Sequence, residues 1–330
     1  LKNFRNILNH GKIIEGPELR IFEKKMANYL HCKHVVGLSS GSSSLYLALK
    51  ALGIKKGDEV ITTPFTWIIT VNAILSVGAT PIFADIGDDF NIDPEKIIKK
   101  ISSKTKAIVP MHVAGHMCDM DKISKIAQTN NLFLVEDAAQ ATASALNGKR
   151  AGYYSDIAAF STNPMKMLNG FGESGFITTN KQRFKEKILS LRHAGTQKDK
   201  RKIDINRCVV SSLNHKMDTI QASFLITNLK KLNEKRNKRD RIAKLYDEEL
   251  KGYLEPQGYH KKETHGRYLY ISKCSKRNNL YYFLKEKNIE CKIFYSPLAC
   301  NAPIFNNYKN KLEIKNAKKL LKKSIALPFY

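Results

Sequence analysis

The chain has 330 residues, 42% of them hydrophobic, and carries a formal net charge of +26. This size and composition can bury one large core and a smaller one, which excludes a disordered polymer. The longest apolar runs, such as 106–113 and 132–135, are far shorter than the roughly 18 to 20 residues of a membrane span. Because the basic start also lacks the apolar block and cleavage site of a secretory signal, we expect a cytoplasmic protein.

The charged and sulfur-containing residues narrow the choice of partner. Six cysteines form no C-x-x-C pair and have no histidine spacing suited to zinc, which argues against disulfides and metal. The positive charge could attract nucleic acid, a membrane surface or an anionic small molecule. Lysines and arginines are dispersed, however, often within polar helices such as 230–244, and no aromatic residues alternate with them as in a nucleic-acid platform. We therefore predict no nucleic-acid or membrane partner.

Short β-branched runs alternate with amphipathic stretches between residues 35 and 180. The runs predict strands at 35–40, 59–63, 80–85, 106–113, 132–137, 157–161 and 175–179. Between them, leucines at 45–52 and apolar residues at 123–127 fall on single helical faces. Strands separated by helices predict an α/β fold with a mainly parallel, doubly wound sheet. Such sheets bind ligands at the carboxyl ends of their strands, so functional residues are expected in the turns that follow.

The pattern changes after about residue 221. A long charged helix is predicted at 230–250, followed by short strands at 267–273 and 291–295. We predict a large domain at 1–225 and a smaller C-terminal α+β domain at 226–330. Because no Pro- or Gly-rich linker separates them, the long helix is expected to join them rigidly.

A serine-rich turn follows the first predicted strand. Residues 39–44 read SSGSSS and lead directly into the next helix. Small side chains let backbone N–H groups approach a phosphate there, and the helix dipole favours an anion by roughly 0.3 to 2 kcal/mol. The same residues suit an ordinary helix N-cap, so a phosphate site needs support from elsewhere in the chain.

Asp137 ends an apolar strand within the run VEDAAQ at 135–140. An isolated aspartate at this position is commonly a helix N-cap. It could instead pair with a protonated ring nitrogen, because a charge within about 4 to 6 Å moves a pKa by roughly 1 to 3 units toward the charged form. Such a pairing would make a pyridine ring an electron sink.

Lys166 ends the run FSTNPMK at 160–166, and the glycine-rich run GFGESG at 170–175 follows. In a chain with 56 lysines and arginines, a solvated surface lysine is the default interpretation. In combination, however, a phosphate-binding turn, an acid at the sheet edge and a lysine in a glycine-bounded loop have another meaning. They are the three parts that a site for pyridoxal 5′-phosphate (PLP) requires.

These motifs resemble those of the DegT/DnrJ/EryC1/StrS sugar aminotransferases, which are fold-type I PLP-dependent transferases. The resemblance is strong from Gly16 to Asp218 and weaker beyond. It rests on SGSS at 40–43, GDEVIT at 57–62, FTW at 65–67, EDAAQ at 136–140, the run ending in Lys166, and NHKMD at 214–218.

The resemblance implies a role for each motif. Lys166 would hold PLP as a Schiff base and then carry protons as general acid and base. Asp137 would bind the pyridinium nitrogen, and Gln140 would bond the ring hydroxyl. The residues implied to bind the phosphate are Ser42, Ser43 and Ser161.

The same resemblance implies two further contacts. Trp67, the only tryptophan, would stack on the ring, a contact worth about 0.5 to 1.5 kcal/mol beyond its burial; packing in the core is the alternative. Asn214 would reach the phosphate site of a neighbouring subunit, which implies a homodimer with shared active sites, although it also suits a helix N-cap. Thr66, His112 and His193 are candidate helpers, but a histidine at a strand end is more often a satisfied structural group.

The implied reaction transfers an amino group from glutamate to a nucleotide-linked keto-deoxy sugar, a 4-keto-6-deoxyhexose, for surface glycan synthesis. Alternatives on the same cofactor are a C3 keto sugar, a keto-cyclitol, or the related dehydratase chemistry. Lys166 argues against the dehydratases, which characteristically have histidine there. A non-catalytic binding or regulatory protein is the last alternative, and the set of Lys166, Asp137 and Gln140 argues against it.

Several positions depart from the family pattern. Thr162 and Asn163 replace an aromatic-rich pair, and Ser174 stands where a second glycine is common. Other departures are Lys216 in place of arginine and Ala299 in place of a histidine. The sequence also lacks an initiator methionine and stops where relatives continue into a final helix, so both natural ends are expected to lie outside it.

Overall fold

The computed structural model describes residues 2–197, 206–305 and 313–330. Within them, the α-helices are α1 (Lys2–His10), α2 (Pro17–Leu30), α3 (Gly41–Ala51), α4 (Ile68–Ser76), α5 (Pro94–Ile98), α6 (Met120–Thr129), α7 (Gln182–Arg192), α8 (Thr219–Leu229), α9 (Leu232–Glu249), α10 (Arg277–Glu286) and α11 (Lys315–Leu321). The strands are β1 (His34–Leu38), β2 (Glu59–Thr62), β3 (Thr80–Phe83), β4 (Thr105–Val109), β5 (Phe133–Asp137), β6 (Ala145–Leu146), β7 (Lys149–Arg150), β8 (Ile157–Ser161), β9 (Gly175–Thr179), β10 (Glu255–Pro256), β11 (Glu263–Thr264), β12 (Tyr270–Lys273) and β13 (Ser324–Leu327). Short 3₁₀ turns occupy Val113–Gly115 and Ala299–Asn301.

A seven-stranded sheet forms the centre of the fold, in the order β1-β9-β8-β5-β4-β2-β3. The strands from β8 to β3 pair in parallel, whereas β9 pairs antiparallel with both β8 and β1. No helix crosses between β8 and β9, and the loop that carries Lys166 joins them, so β9 runs in the opposite direction. The predicted α/β class with a mainly parallel sheet is confirmed.

Helices cover both faces of this sheet. On one face, Phe22 of α2, Ile123 of α6 and Leu225 of α8 belong to one buried cluster. On the other face, Leu45 of α3 and Ile188 of α7 belong to a second. Each such fully buried side chain contributes roughly 1.5–3 kcal/mol to the free energy of unfolding. Because both faces are covered, the carboxyl ends of the strands are left to bind ligands.

Several predicted strands are shorter in the structure, and two of them differ most. The strand predicted at 106–113 ends at Val109, because Pro110 has no N–H with which to continue the ladder. The strand predicted at 267–273 begins only at Tyr270. Ahead of it, the N–H of Tyr268 donates to the carbonyl of Ala114 at 3.0 Å, which draws this segment toward the large sheet.

The C-terminal part contains the predicted long helix, as α9, and a sheet in the order β10-β12-β13. The strand predicted at 291–295 is wrong, since only an isolated bridge joins Lys292 to Ala326. The chain turns inward there instead, and Tyr295 packs on Phe65 with ring centroids 5.4 Å apart. The division into domains at 225 and 226 stays a prediction.

Across the described residues, each helix is too short or too polar to cross a membrane.

A buried ionic cluster ties the C-terminal part to the loops of the large sheet. Nδ1 of His116 lies 2.6 Å from Glu263, and Nε2 lies 3.0 Å from Asp89. An imidazole between two carboxylates satisfies both only when both of its nitrogens are protonated. Glu263 also accepts the N–H groups of Met117 at 2.8 Å and His260 at 3.1 Å. Although His116, His260 and Glu263 have ligand atoms within 4.8 Å of one another, these bonds fit an ion-pair network rather than a metal site.

Candidate active site

The serine turn, the acid and the lysine predicted from the sequence lie at one edge of the sheet. The turn begins α3 beside the end of β8, where a Cβ on Gly41 would lie 2.6 Å from the Cβ of Ser161. Only glycine fits so close an approach. Asp137 ends β5, the neighbour of β8, and Lys166 is near enough for its charge to act on the pKa of Asp137. The structure therefore brings the three motifs together.

The serine turn combines a helix cap with an exposed first turn. Ser40 caps α3, because its Oγ accepts the N–H of Ser43 at 3.0 Å. The Ser43 hydroxyl lies 3.0 Å from the Ser39 hydroxyl and 2.9 Å from Nδ1 of His215. Both polar groups of Ser43 are thus engaged within the protein, whereas Ser42 is exposed. An anion at this helix N-terminus would meet Ser42 more directly than Ser43.

Asp137 is 2% exposed, and both of its carboxylate oxygens accept hydrogen bonds. Oδ2 accepts from the Thr70 hydroxyl at 2.7 Å, and Oδ1 accepts from the Ala139 N–H at 3.2 Å. Burial raises the pKa of Asp137, while these donors and the charge of Lys166 counteract the rise. Thr66, a predicted helper, lies behind Thr70 with their hydroxyl oxygens 2.7 Å apart. The motifs did not indicate Thr70, which lies in the first turn of α4, whereas Thr66 precedes the N-cap of that helix.

The Lys166 loop is closed by two of the residues that depart from the family pattern. The hydroxyl of Thr162 donates to that of Ser174 at 2.7 Å, and the N–H of Thr162 donates to the Ser174 carbonyl at 2.9 Å. Inside the loop, the N–H of Lys166 donates to the Asn163 carbonyl at 2.8 Å. The two departures contact each other, and together they fix the two ends of the loop.

The amine of Lys166 points toward the C-terminal part. Its Nζ lies 4.4 Å from the centroid of the Tyr268 ring and 3.4 Å from the Tyr268 hydroxyl. Lys166 and Tyr268 line a cavity of about 550 Å³, to which α9 contributes Lys235 and Arg239. This volume lies within the range of small-molecule sites, roughly 300–1,000 Å³.

Gln140 connects the large sheet to Tyr295. Its Oε1 accepts the N–H of Ala114 at 2.7 Å, and its Nε2 donates to the Tyr295 hydroxyl. Burial raises the pKa of Tyr295, so its hydroxyl stays protonated. The second amide N–H of Gln140 leaves it able to donate to one further acceptor. Tyr295 joins the site from 155 residues away, which explains why no local motif indicated it.

Trp67 and Asn214 are both exposed on the single chain. Trp67 is 62% exposed at the N-cap of α4, so the alternative of core packing is wrong. Asn214 accepts the N–H of Lys216 at 3.2 Å, and Asp218 rather than Asn214 occupies the N-cap position of α8. The N-cap alternative for Asn214 is therefore also wrong, and its side chain lies at the surface.

The two histidines considered as helpers are engaged in structural contacts. Nδ1 of His112 accepts the N–H of Cys118 at 3.2 Å, so Nε2 carries the proton and donates to Glu136 at 2.9 Å. His193 lies 2.6 Å from Glu15, and burial lowers the pKa of His193. Neither histidine is free to carry protons for a reaction without losing such a partner.

This fold and site define a fold-type I PLP-dependent transferase. Buried Asp137 lies near Lys166. Beside them lies the N-terminus of α3, which approaches Ser161 as closely as it does because Gly41 has no Cβ. The model of the DegT/DnrJ/EryC1/StrS aminotransferase family matches residues 1–330. The chain belongs to this family, and it is an aminotransferase.

Named relatives extend the comparison. The chain is 36% identical over 291 residues to the dTDP-3-amino-3,6-dideoxy-alpha-D-galactopyranose transaminase of Aneurinibacillus thermoaerophilus, which covers 88% of this chain and 78% of that protein. It is 31% identical over 332 residues to the GDP-perosamine synthase of Vibrio cholerae, covering 98% and 87%. The solved structure of NtdA from Bacillus subtilis with bound cofactor PMP matches with a TM-score of 0.91 and 31% identity, covering 100% of this chain and 76% of that one.

PLP is the cofactor of this chain, and the residues present fit it. Lys166 would supply a primary amine for its aldehyde, and Asp137 would supply a buried carboxylate for its protonated ring nitrogen. The absence of a Cβ at Gly41 lets the N-terminus of α3 pack against Ser161, and a phosphate would fit against the free N–H groups there.

Proposed function

We propose that this chain transfers the amino group of glutamate to a nucleotide-linked keto-deoxy sugar, a 4-keto-6-deoxyhexose, for surface glycan synthesis. The observation that carries the proposal is the placement of Lys166 near buried Asp137, beside the turn at the N-terminus of α3 that contains Gly41. The names of the Aneurinibacillus and Vibrio relatives support a nucleotide-linked sugar. Lys235 and Arg239 in the cavity beside Lys166 add positive charge that suits an anionic diphosphate.

Lys166 and Asp137 carry the chemistry in this proposal. When bound, PLP supplies an electron-withdrawing ring that stabilises negative charge on the carbon that loses a proton. Lys166 binds the cofactor through Nζ and then moves this proton as general base and acid. Asp137 keeps a proton on the ring nitrogen, and the Thr70 hydrogen bond favours the ionised carboxylate that this requires.

The remaining predicted residues orient the cofactor. Gln140 donates its second amide N–H to the ring hydroxyl, and exposed Trp67 stacks on the ring. Ser42 and Ser161 bind the phosphate together with the first N–H groups of α3. Ser43, which the family resemblance also implied for the phosphate, stabilises the turn instead through its hydrogen bond to His215.

Amination of defined sugars tests the proposal. The purified protein, loaded with PLP, is supplied with glutamate and each of the UDP-, dTDP- and GDP-linked 4-keto-6-deoxyhexoses. We expect one of them to give an amino sugar, detected by mass spectrometry, with NMR locating the nitrogen at C4. Reactions without glutamate are the control. Failure of every 4-keto sugar to be aminated would contradict the proposed substrate.

Amination at C3 is the second candidate. It is favoured by the Aneurinibacillus relative, whose name specifies a 3-amino sugar. Including 3-keto-6-deoxyhexoses in the same assay separates the two, because NMR would then place the nitrogen at C3.

We also propose a homodimer in which the active sites are shared. Phe4 of α1 and Phe224 of α8 line one surface cavity, and Phe171 of the Lys166 loop stacks on Phe224; we call these three exposed residues the phenylalanine patch. The rings of Phe171 and Phe224 stack with centroids 4.9 Å apart, and Phe171 is 69% exposed. Exposed apolar surface of this kind marks association sites. Asn214, also exposed, reaches the partner's phosphate site in this proposal.

The cytoplasmic location stays a prediction from the sequence.

Phe171→Asp is expected to convert the dimer to monomers, because it places a charge within the phenylalanine patch. Sedimentation velocity should give twice the chain mass for the wild type and the single chain mass for the variant. The matched control is Tyr282→Asp on α10, which changes an aromatic residue that is 64% exposed outside the patch and should leave the dimer intact. A monomeric wild type would contradict the dimer.

A further inference from the structure

The amine of Lys166 rests against Tyr268 rather than against an acid. Nζ lies 4.4 Å from the centroid of the Tyr268 ring, well inside the roughly 6 Å over which a cation and a ring attract each other. Its distance of 3.4 Å to the Tyr268 hydroxyl is long for a hydrogen bond. Among the described residues, no carboxylate forms an ion pair with Lys166 within 4.0 Å.

The backbone of Tyr268 is linked through Ala114 to Gln140, one of the predicted cofactor residues. Its N–H donates to the Ala114 carbonyl at 3.0 Å, and the N–H of Ala114 donates to Gln140 at 2.7 Å. Its carbonyl accepts from Nη1 of Arg239 at 3.0 Å. The same guanidinium nitrogen lies 2.9 Å from Sδ of Met167, the residue next to Lys166. These contacts on both sides of the Tyr268 backbone fix the position of Tyr268 relative to the Lys166 loop.

We propose that Tyr268 is the positioning residue for the Lys166 amine, and that it holds this amine in the site whenever the amine is not bonded to the cofactor. The inference rests on the proposed function, in which Lys166 alternates between binding PLP and moving a proton. A free lysine side chain has four carbons of flexible stem, so an amine without a docking point would spend much of its time away from the reacting carbon. The Tyr268 side chain, in van der Waals range, restricts the motion of the Lys166 amine without neutralising its charge.

The geometry separates two contributions of Tyr268. Tyr268→Phe keeps the ring and removes only the hydroxyl, whereas Tyr268→Leu removes both. Because Nζ lies at the hydroxyl end of the ring, 3.4 Å from the hydroxyl oxygen and 4.4 Å from the centroid, both groups contribute, and the phenylalanine variant should lose less than the leucine variant. Loss of an exposed or half-buried contact of this kind should change the position equilibrium of the amine about two- to fivefold.

Trace acetylation of the cofactor-free protein with acetic anhydride measures the amine directly. Mass spectrometry of the peptides gives the labelling rate of Lys166 relative to Lys235, which lines the same cavity and serves as internal reference. We expect relative labelling of Lys166 to rise about two- to fivefold in Tyr268→Leu and to change less than twofold in Tyr268→Phe. Tyr253→Leu, at a tyrosine that is 79% exposed, is the control for loss of a tyrosine and should change nothing.

Turnover of the loaded enzyme gives the second readout. In Tyr268→Leu, kcat should fall about two- to fivefold at unchanged KM for glutamate, and Tyr268→Phe should restore it. Unchanged Lys166 labelling in Tyr268→Leu would overturn the inference, as would equal effects of both variants. The labelling needs no cofactor, so it stands apart from the proposed function. That function would fail separately if borohydride left no PLP adduct on Lys166 of the wild type.

Discussion

Lys166→Ala is expected to abolish amino transfer while leaving the fold intact. Loss of a general acid and base alone costs about 10²–10⁴-fold in rate, and alanine also removes the amine that binds the cofactor. The loop should persist, because the bonds between Thr162 and Ser174 close it without Lys166. Single-turnover amination measures the rate, and borohydride reduction followed by peptide mass spectrometry locates the cofactor. We expect a PLP adduct on the Lys166 peptide of the wild type and no adduct in the variant.

Two further variants make this result specific. Asp137→Asn keeps the size of the side chain and removes its charge, so PLP should still attach to Lys166 while the rate falls about 10²–10³-fold, as for loss of one preorganised electrostatic contact. Lys235→Ala removes another amine of the same cavity and should retain the adduct. An adduct that survives Lys166→Ala, or one that disappears in Lys235→Ala, would show that the wrong lysine has been assigned.

The parts of the site that the sequence predicts are those that follow a strand. The serine turn follows β1, Asp137 ends β5, and Lys166 follows β8. Parallel strands place such positions at one edge, so local patterns were sufficient to bring them together. The buried strands were also predictable, because both faces of the sheet are covered and leave continuous apolar runs.

The parts that escaped prediction come from distant segments. Tyr268 and Tyr295 reach the site from the C-terminal part, and only tertiary packing places them near Lys166 and Gln140. The segment 291–295 has the composition of a strand, yet its chain follows the packing of Tyr295 against Phe65 instead of a ladder. The hydrogen-bonding state of Ser43 was likewise unpredictable, because it depends on His215, 172 residues away.

Glu263→Gln is expected to lower the free energy of unfolding by about 3–5 kcal/mol, as for removal of one partner from a buried ion pair. Both oxygens of the Glu263 carboxylate accept N–H groups, from Met117 on one side and from His116 and His260 on the other. A glutamine must turn its NH₂ group toward one of these donors. The variant therefore loses a charge and also leaves a buried N–H without an acceptor, which adds to the cost.

The stability lost in Glu263→Gln should depend on pH, because His116 is an imidazolium in the folded protein. The loss should be larger at low pH than at high pH. Burial alone lowers the pKa of His116, but hydrogen bonds and charges from Asp89 and Glu263 outweigh it and raise the pKa to about 9. Because this pKa exceeds the unfolded value of about 6.5, the stabilisation of about 3 kcal/mol is complete below about pH 6.5 and is lost as the pH rises through about 9. The neighbouring ring of His265, 6.1 Å away, does not obscure this effect, since burial keeps the pKa of His265 well below its usual value.

Urea unfolding followed by circular dichroism from about pH 6 to about pH 10 should show the wild type losing its advantage over Glu263→Gln as the pH rises. The control is Glu249→Gln, at an exposed position of α9, which should stay within about 0.5 kcal/mol of the wild type at each pH. A deficit in Glu263→Gln that is the same at every pH would mean that His116 is neutral in the folded protein. A neutral imidazole has one N–H and could donate to only one of the two carboxylates, so the cluster would not be the ion pair that its distances of 2.6 and 3.0 Å indicate.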